Sequence, residues 1–181
     1  MDLAGKKIVI VATDYFEEVE LTDPLERLTD MEASVEVAAP HEGTIQALRG
    51  VEQGREIKVD KLIKELNPLE YDAVIIPGGV VNSDHLRTDK DAQEFVQSMA
   101  DAGKPVAAIC HGPWLLVSSG LVEGKTITSN LTLADDIRNA GGNWVNREVA
   151  VDGELITSRN PDDLPAFIQM IAESISKSSE E

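Results

Sequence analysis

The sequence predicts an α/β protein: a mainly parallel, twisted sheet held between helical layers, with a small β excursion to one side. Three observations predict it. Lys7–Ala12 (KIVIVA), Asp72–Pro77 (DAVIIP) and Pro105–Cys110 (PVAAIC) are short, continuous apolar runs bounded by turn residues, the pattern of strands covered on both faces. Helical patterns lie between these runs. The alternation of strand and helix then calls for crossover connections, which make neighbouring strands parallel.

The first run opens the chain, and Asp23-Pro24 after it reads as an N-cap followed by proline in the first turn of a helix running through Leu25-Glu26-Arg27-Leu28. Ser34–Ala39 (SVEVAA) is a fourth strand. Thr44–Asp60 alternates around Gly50 and Gly54 and forms the β excursion. Asp89–Ala102 places Ala92, Phe95, Val96 and Met99 at helical spacing and is closed by Gly103. A helix follows Cys110 through Ser118-Ser119 and stops at Gly120. Then come strand Thr126–Ser129, helix Leu133–Ala140 and a β-rich stretch, Trp144–Ser158, turning at Asp152-Gly153. Pro161–Ser176 closes the fold as an amphipathic helix with Leu164, Phe167, Ile168, Ile171 and Ile175 inward. One domain is expected over residues 1–176, with a polar tail at 177–181.

The 181 residues suffice for a single core without staples, and 42% hydrophobic with 27% charged residues is ordinary for a globular domain. Met1–Lys7 is polar and Ile8–Ala12 is too short for a secretory h-region; no apolar run approaches the roughly 20 residues of a membrane span. A formal charge of −17 repels phosphate backbones and anionic lipid, so neither nucleic acid nor membrane is an expected partner. The single cysteine cannot form an intrachain disulfide, which favours a reducing compartment; a cytoplasmic location is expected.

That cysteine, Cys110, sits where an apolar strand meets a helix, in Ala108-Ile109-Cys110-His111-Gly112-Pro113. Active sites of open α/β sheets gather at the carboxyl ends of strands, and a nucleophile on a sharp strand-to-helix turn stands exposed at the sheet's top. The helix N-terminus is expected to lower the thiol pKa. A lone cysteine is more often a small buried hydrophobe, and the strand-to-helix position brings the two readings level and leaves both open. Pro77-Gly78-Gly79 ends another strand and uncovers backbone N–H groups that could hold an oxyanion, or it is an ordinary turn. Glu17-Glu18-Val19-Glu20 either complements a helix dipole or brings a carboxyl to the sulfur. In the second case the acid must be protonated, because a carboxylate there would oppose thiolate formation. His41, His85 and His111 have no metal-site spacing, and neither metal nor cofactor is expected.

Taken together these segments resemble the PfpI branch of the ThiJ/PfpI superfamily, which includes intracellular protease I, general stress proteins and relatives of the parkinsonism-linked deglycase. The resemblance runs from Phe16-Glu17-Glu18-Val19-Glu20-Leu21 through Ile76-Pro77-Gly78-Gly79 to the Cys110 element. It continues into Asp135-Asp136, Asn139-Ala140-Gly141 and Thr157–Leu164. It implies a flavodoxin-like three-layer sandwich of the class I glutamine amidotransferase-like kind. It also implies Cys110 as nucleophile, Glu20 as the buried acid at the sulfur with Glu17 and Gly78 in support, and an oxyanion hole from the N–H groups of Gly79 and His111. In protease-like members His111 is oriented by an acid from a neighbouring subunit; Ser83-Asp84-His85-Leu86-Arg87 matches that loop, with Asp84 at the acidic position, one residue longer and Asp where the family has Glu.

The expected function is a cysteine-dependent stress-protection enzyme acting on reactive carbonyls or early glycation adducts, of glyoxalase or deglycase type. The alternatives are an intracellular cysteine peptidase using Cys110, His111 and a neighbour's Asp84, and a non-enzymatic redox sensor or chaperone working through Cys110. The expected partners are small carbonyl compounds, damaged protein and further copies of the chain, in a homodimer or larger homo-oligomer.

Overall fold

The computed structural model describes residues 1–178; residues 179–181, on which most of the expected polar tail falls, lie outside it. In chain order the elements are β1 (Lys7–Val11), β2 (Phe16–Glu17), α1 (Glu18–Asp30), β3 (Ser34–Ala39), β4 (Thr44–Arg49), β5 (Glu52–Lys58), β6 (Lys61–Leu62), β7 (Ala73–Ile76) and α2 (Val80–Leu86). These are followed by α3 (Lys90–Asp101), β8 (Val106–Ile109), α4 (Pro113–Ser118), β9 (Thr126–Ile127), α5 (Ala134–Asn139), β10 (Asn143–Trp144), β11 (Ala150–Asp152), β12 (Leu155–Ser158) and α6 (Leu164–Lys177).

Seven strands form the central sheet in the order β11-β12-β8-β7-β1-β3-β6. All pairings are parallel except the β11–β12 hairpin, whose turn is the Asp152-Gly153 signal seen in the sequence. The apolar runs alternate between two cores at a period of two, as a pleated strand requires. Ile8, Ile10, Ile75, Ala107 and Ile109 join Leu21 and Leu28 of α1 and Phe167, Ile168 and Ile171 of α6 on one face. Val9, Val11, Val74, Ile76, Val106 and Ala108 meet Phe95, Val96 and Met99 of α3 and Leu115 and Leu116 of α4 on the other. Leu28 has no exposed surface, so its truncation to alanine would cost about 2–5 kcal/mol.

Three local expectations need correction. The helix after β1 begins at Glu18 rather than at Asp23, and Pro24 lies inside it. Burial of Glu20, Leu21 and Leu28 outweighs the local Asp-Pro start signal, although Pro24 has no N–H to return to the carbonyl of Glu20. Ser83–Leu86, read as a loop, belongs to helix α2, which starts at Val80 with Gly79 as its N-cap. Strand β9 stands outside the main sheet, paired with β10 alone. The β excursion is a three-stranded sheet in which β4 pairs with β5 in a hairpin and with β2 in parallel.

This order creates a crevice. From β1 the chain moves outward to β3 in one direction and later to β7 in the other, so connections leave the carboxyl ends of β1 and β7 on opposite sides. Among the described residues no helix is long and apolar enough to cross a membrane.

Candidate active site

A cleft of about 670 Å³ opens at those carboxyl ends. Its lining comes from after β1 (Tyr15, Glu17, Glu20), after β7 (Gly79, Val80, Val81), after β8 (Cys110, His111), after β9 (Asn130) and after β12 (Asn160, Pro161), with Leu48, Gly50 and Val51 reaching in from the β4–β5 hairpin. Among the described residues no lysine or arginine lines it. Val51 is 96% exposed, and Tyr15, Val80 and Val81 are also exposed, giving the cleft an apolar rim.

Cys110 is half-buried and sits at φ 63°, a left-handed conformation that costs a non-glycine residue free energy and is held here by its surroundings. Its N–H donates to the carbonyl of Ser158 and its own carbonyl accepts from Asn130 N–H, which pins the turn between β12 and the β9 loop. The sharp turn lifts the side chain off the strand and into the cleft.

Glu20 lies in the first turn of α1 with no exposed surface. Its Oε1 accepts from Gly78 N–H at 3.0 Å, whereas Oε2 has no hydrogen-bond partner. Burial first, and the nearby Glu17 carboxylate second, push its pKa up to about 8, so the carboxyl is protonated at neutral pH. Glycine at 78 is required for the approach: a Cβ there would lie 2.6 Å from Glu20 Oε1 and 2.8 Å from the Cys110 Cβ. Gly79 sits at φ 89°, and a Cβ there would lie 2.7 Å from both the Glu17 nitrogen and the Tyr15 carbonyl oxygen, so only glycine fits. The N–H groups of Gly79 and His111 both face the Cys110 sulfur.

The expected acidification of the thiol is overturned. Burial and the Glu20 carboxyl push the Cys110 pKa up to about 12, against the smaller opposing pull of the His111 and Gly79 N–H groups and Asn130. The reason is geometric: α4 begins three residues beyond Cys110 and is only six residues long, too weak a dipole to outweigh desolvation. The thiol therefore needs a base. His111 Nδ1 lies 3.3 Å from Sγ, and burial holds the His111 pKa below its usual value, leaving the ring neutral at neutral pH. The His111 ring packs edge-on against Trp114, with centroids 5.3 Å apart, and Trp114 is held by a 2.9 Å hydrogen bond from its indole N–H to Asp136.

The remaining predicted residues divide. Glu17 is half-buried in the cleft, and its carboxylate accepts from Gly50 N–H at 3.2 and 3.3 Å, tying β2 to the hairpin. Asp84 is exposed on α2 and has no hydrogen bond or ion pair within the described residues. The cluster thus unites Cys110, His111, Glu20, Glu17, Gly78 and Gly79, and leaves Asp84 apart. Reading the sequence missed Asn130, whose Nδ2 donates to Sγ at 3.8 Å, and Thr132, whose hydroxyl lies 3.2 Å from His111 Nε2. The available signal was position: Asn130 directly follows the predicted strand Thr126–Ser129, at a strand's carboxyl end. Among the described residues no group of three or more His, Cys, Asp or Glu side chains could hold a metal ion.

The profile of the DJ-1/PfpI family matches residues 6–174. The chain is 40% identical over 163 residues to a Pyrococcus furiosus protein named deglycase PfpI, covering 90% of this chain and 95% of that one. It is 38% identical over 172 residues to YraA of Bacillus subtilis, named as a candidate cysteine protease, covering 90% and 94% respectively. A solved structure from Anabaena variabilis, a two-domain protein with DJ-1/ThiJ/PfpI-like and ferritin-like domains, superposes with a TM-score of 0.90 at 33% identity; the match covers 94% of this chain and 48% of that one, so this chain spans about half of it. With one family profile spanning nearly its whole length and relatives close to 40% identical, the chain belongs to the DJ-1/PfpI family.

Proposed function

We propose that the protein is a cysteine-dependent stress-protection enzyme acting on reactive carbonyls such as methylglyoxal, or on their early adducts with amines. The observation that carries the reading is the ionisation pattern in the cleft: a thiol beside a neutral imidazole on one side and a protonated buried carboxyl on the other. In the first step Sγ bonds to the carbonyl carbon, the thiol proton passes to His111 Nδ1, and the carbonyl electron pair moves onto oxygen. The N–H groups of Gly79 and His111 receive the resulting alkoxide, and Glu20 supplies a proton locally. An internal hydrogen shift and one water then release a hydroxy acid and, from an adduct, the free amine.

The cleft supports a small, neutral substrate. It carries no cation to recruit phosphate, and its apolar rim suits a carbonyl on a short alkyl or aryl group or on a protein side chain. The name of the Pyrococcus furiosus relative, a deglycase, points the same way. The deciding experiment is turnover of methylglyoxal and of an unfolded protein, side by side, by wild type and Cys110→Ala. Methylglyoxal consumption that vanishes in Cys110→Ala supports the reading; equal consumption by both proteins sinks it.

A peptidase reading is favoured by the relative named as a candidate cysteine protease and by the exposed, unpartnered Asp84, which a second copy could bring to His111. It requires a homo-oligomer with Asp84 at its interface. Both readings suit a cytoplasmic protein with one reduced cysteine.

A further inference from the structure

We propose that Asn130 and Thr132 are positioning residues that hold His111 as its Nε2–H tautomer, so that Nδ1 is the bare nitrogen facing the Cys110 thiol. The assignment starts from a group with no freedom. The backbone N–H of Thr132 can only donate, and it lies 3.1 Å from Asn130 Oδ1, which identifies that atom as the amide oxygen. The Asn130 amide nitrogen is therefore the atom turned to Cys110, donating to Sγ at 3.8 Å.

The same oxygen decides the Thr132 hydroxyl. Thr132 Oγ1 lies 2.8 Å from Asn130 Oδ1, an acceptor without a proton, so the hydroxyl hydrogen points there. Its lone pair is left for His111 Nε2 at 3.2 Å, and that contact is a hydrogen bond only when Nε2 carries the proton. A neutral imidazole with its proton on Nε2 has Nδ1 bare, and Nδ1 is the atom 3.3 Å from Sγ. The four side chains close a ring, Cys110–His111–Thr132–Asn130–Cys110, in which every hydrogen bond runs in one direction.

Two consequences follow. When Sγ bonds to a carbonyl carbon, its proton has one place to go, Nδ1, and the Asn130 amide N–H remains to steady charge on sulfur. Both ring nitrogens of His111 are also engaged within one chain, so an acid from a neighbouring subunit could reach the ring only by displacing Thr132. The tautomer stands on geometry alone; its effect on turnover rests on the carbonyl reading above.

The test is long-range proton–nitrogen NMR of His111 in the free protein, with the iodoacetamide alkylation rate of Cys110 at neutral pH and the methylglyoxal kcat and KM, for wild type, Thr132→Val, Thr132→Ser and Asp84→Asn. Thr132 is exposed, so its substitution should not threaten folding. The expected result is a proton on Nε2 in wild type, a shift toward the other tautomer in Thr132→Val, and an alkylation rate and kcat about tenfold lower at similar KM, with Thr132→Ser restoring all three. A wild-type proton on Nδ1 overturns the proposal. So does a Thr132→Val protein with unchanged tautomer and alkylation, or a tautomer that responds to Asp84→Asn instead. If tautomer and alkylation respond as expected while wild type consumes no methylglyoxal, the positioning role stands and the substrate reading fails.

Discussion

The two sides of the Cys110 sulfur are built on opposite principles. On one side Glu20 is fully buried, with one carboxyl oxygen held by Gly78 N–H and the other unpartnered. On the other, His111 is half-exposed and both its ring nitrogens are in contact with polar groups. The first side keeps a proton because burial makes ionisation costly. The second is able to take one because the same effect keeps the imidazole neutral. The comparison teaches that a half-buried thiol need not be acidic at rest to be a candidate nucleophile, provided a neutral base stands on one side and no negative charge on the other.

The largest expected effect removes what both sides act on. Cys110→Ala should cut methylglyoxal turnover by about a thousandfold or more, measured as loss of substrate over time. Next comes the acid side. Glu20→Ala should lower kcat/KM about a hundredfold, and Glu20→Gln much less, because an amide still donates where alanine cannot. The pH profile sharpens the contrast. Wild-type kcat/KM should rise through a His111 pKa held below 6.5, as the imidazole becomes the free base, and fall near pH 8 as Glu20 ionises. Glu20→Gln should keep the acid limb and lose the alkaline one. An alkaline limb that survives in Glu20→Gln would break the division between the two sides.

Stability gives an independent reading of the buried acid. The folded Glu20 pKa is raised from 4.5 to about 8, so the folded state holds its proton more tightly than the unfolded chain does. The Glu20 contribution to stability should therefore be fully present below about pH 4.5, decline as pH rises to about 8, and level off above it, a loss of up to about 5 kcal/mol. Urea midpoints across that window should fall for wild type and stay much flatter for Glu20→Gln. The smallest effect concerns the turn itself. Because Cys110 sits at φ 63°, Cys110→Gly should be more stable than Cys110→Ala by about 1 kcal/mol in urea unfolding. Equal stabilities would mean the turn stores no strain.

Much of this arrangement was legible before any coordinates. The apolar runs that became β1, β7 and β8 could be read as covered strands because their β-branched residues serve two cores at once. Cys110 stood out because a strand and a helix meet at it. The first helix was misplaced because Asp23-Pro24 is a local start signal, whereas its true beginning is set by burial of Glu20 and Leu21 under other elements. Asn130 and Thr132 went unnoticed for a related reason: 20 residues separate Asn130 from Cys110, and only the folding of the β9 loop across the end of β8 brings them together.

The sequence by itself determined the α/β class, the position of the single cysteine at a strand's carboxyl end and the supply of glycines and acids around it, because these depend on periodicity and on neighbours along the chain. The tertiary structure alone decided which groups carry protons. It raised the Cys110 thiol where the sequence suggested acidification, kept Glu20 neutral, and set the proton of His111 through Thr132 and Asn130. The physical reason is that ionisation depends on desolvation and on charges or dipoles within a few ångströms, and the groups that supply them here come from four separate segments of the chain.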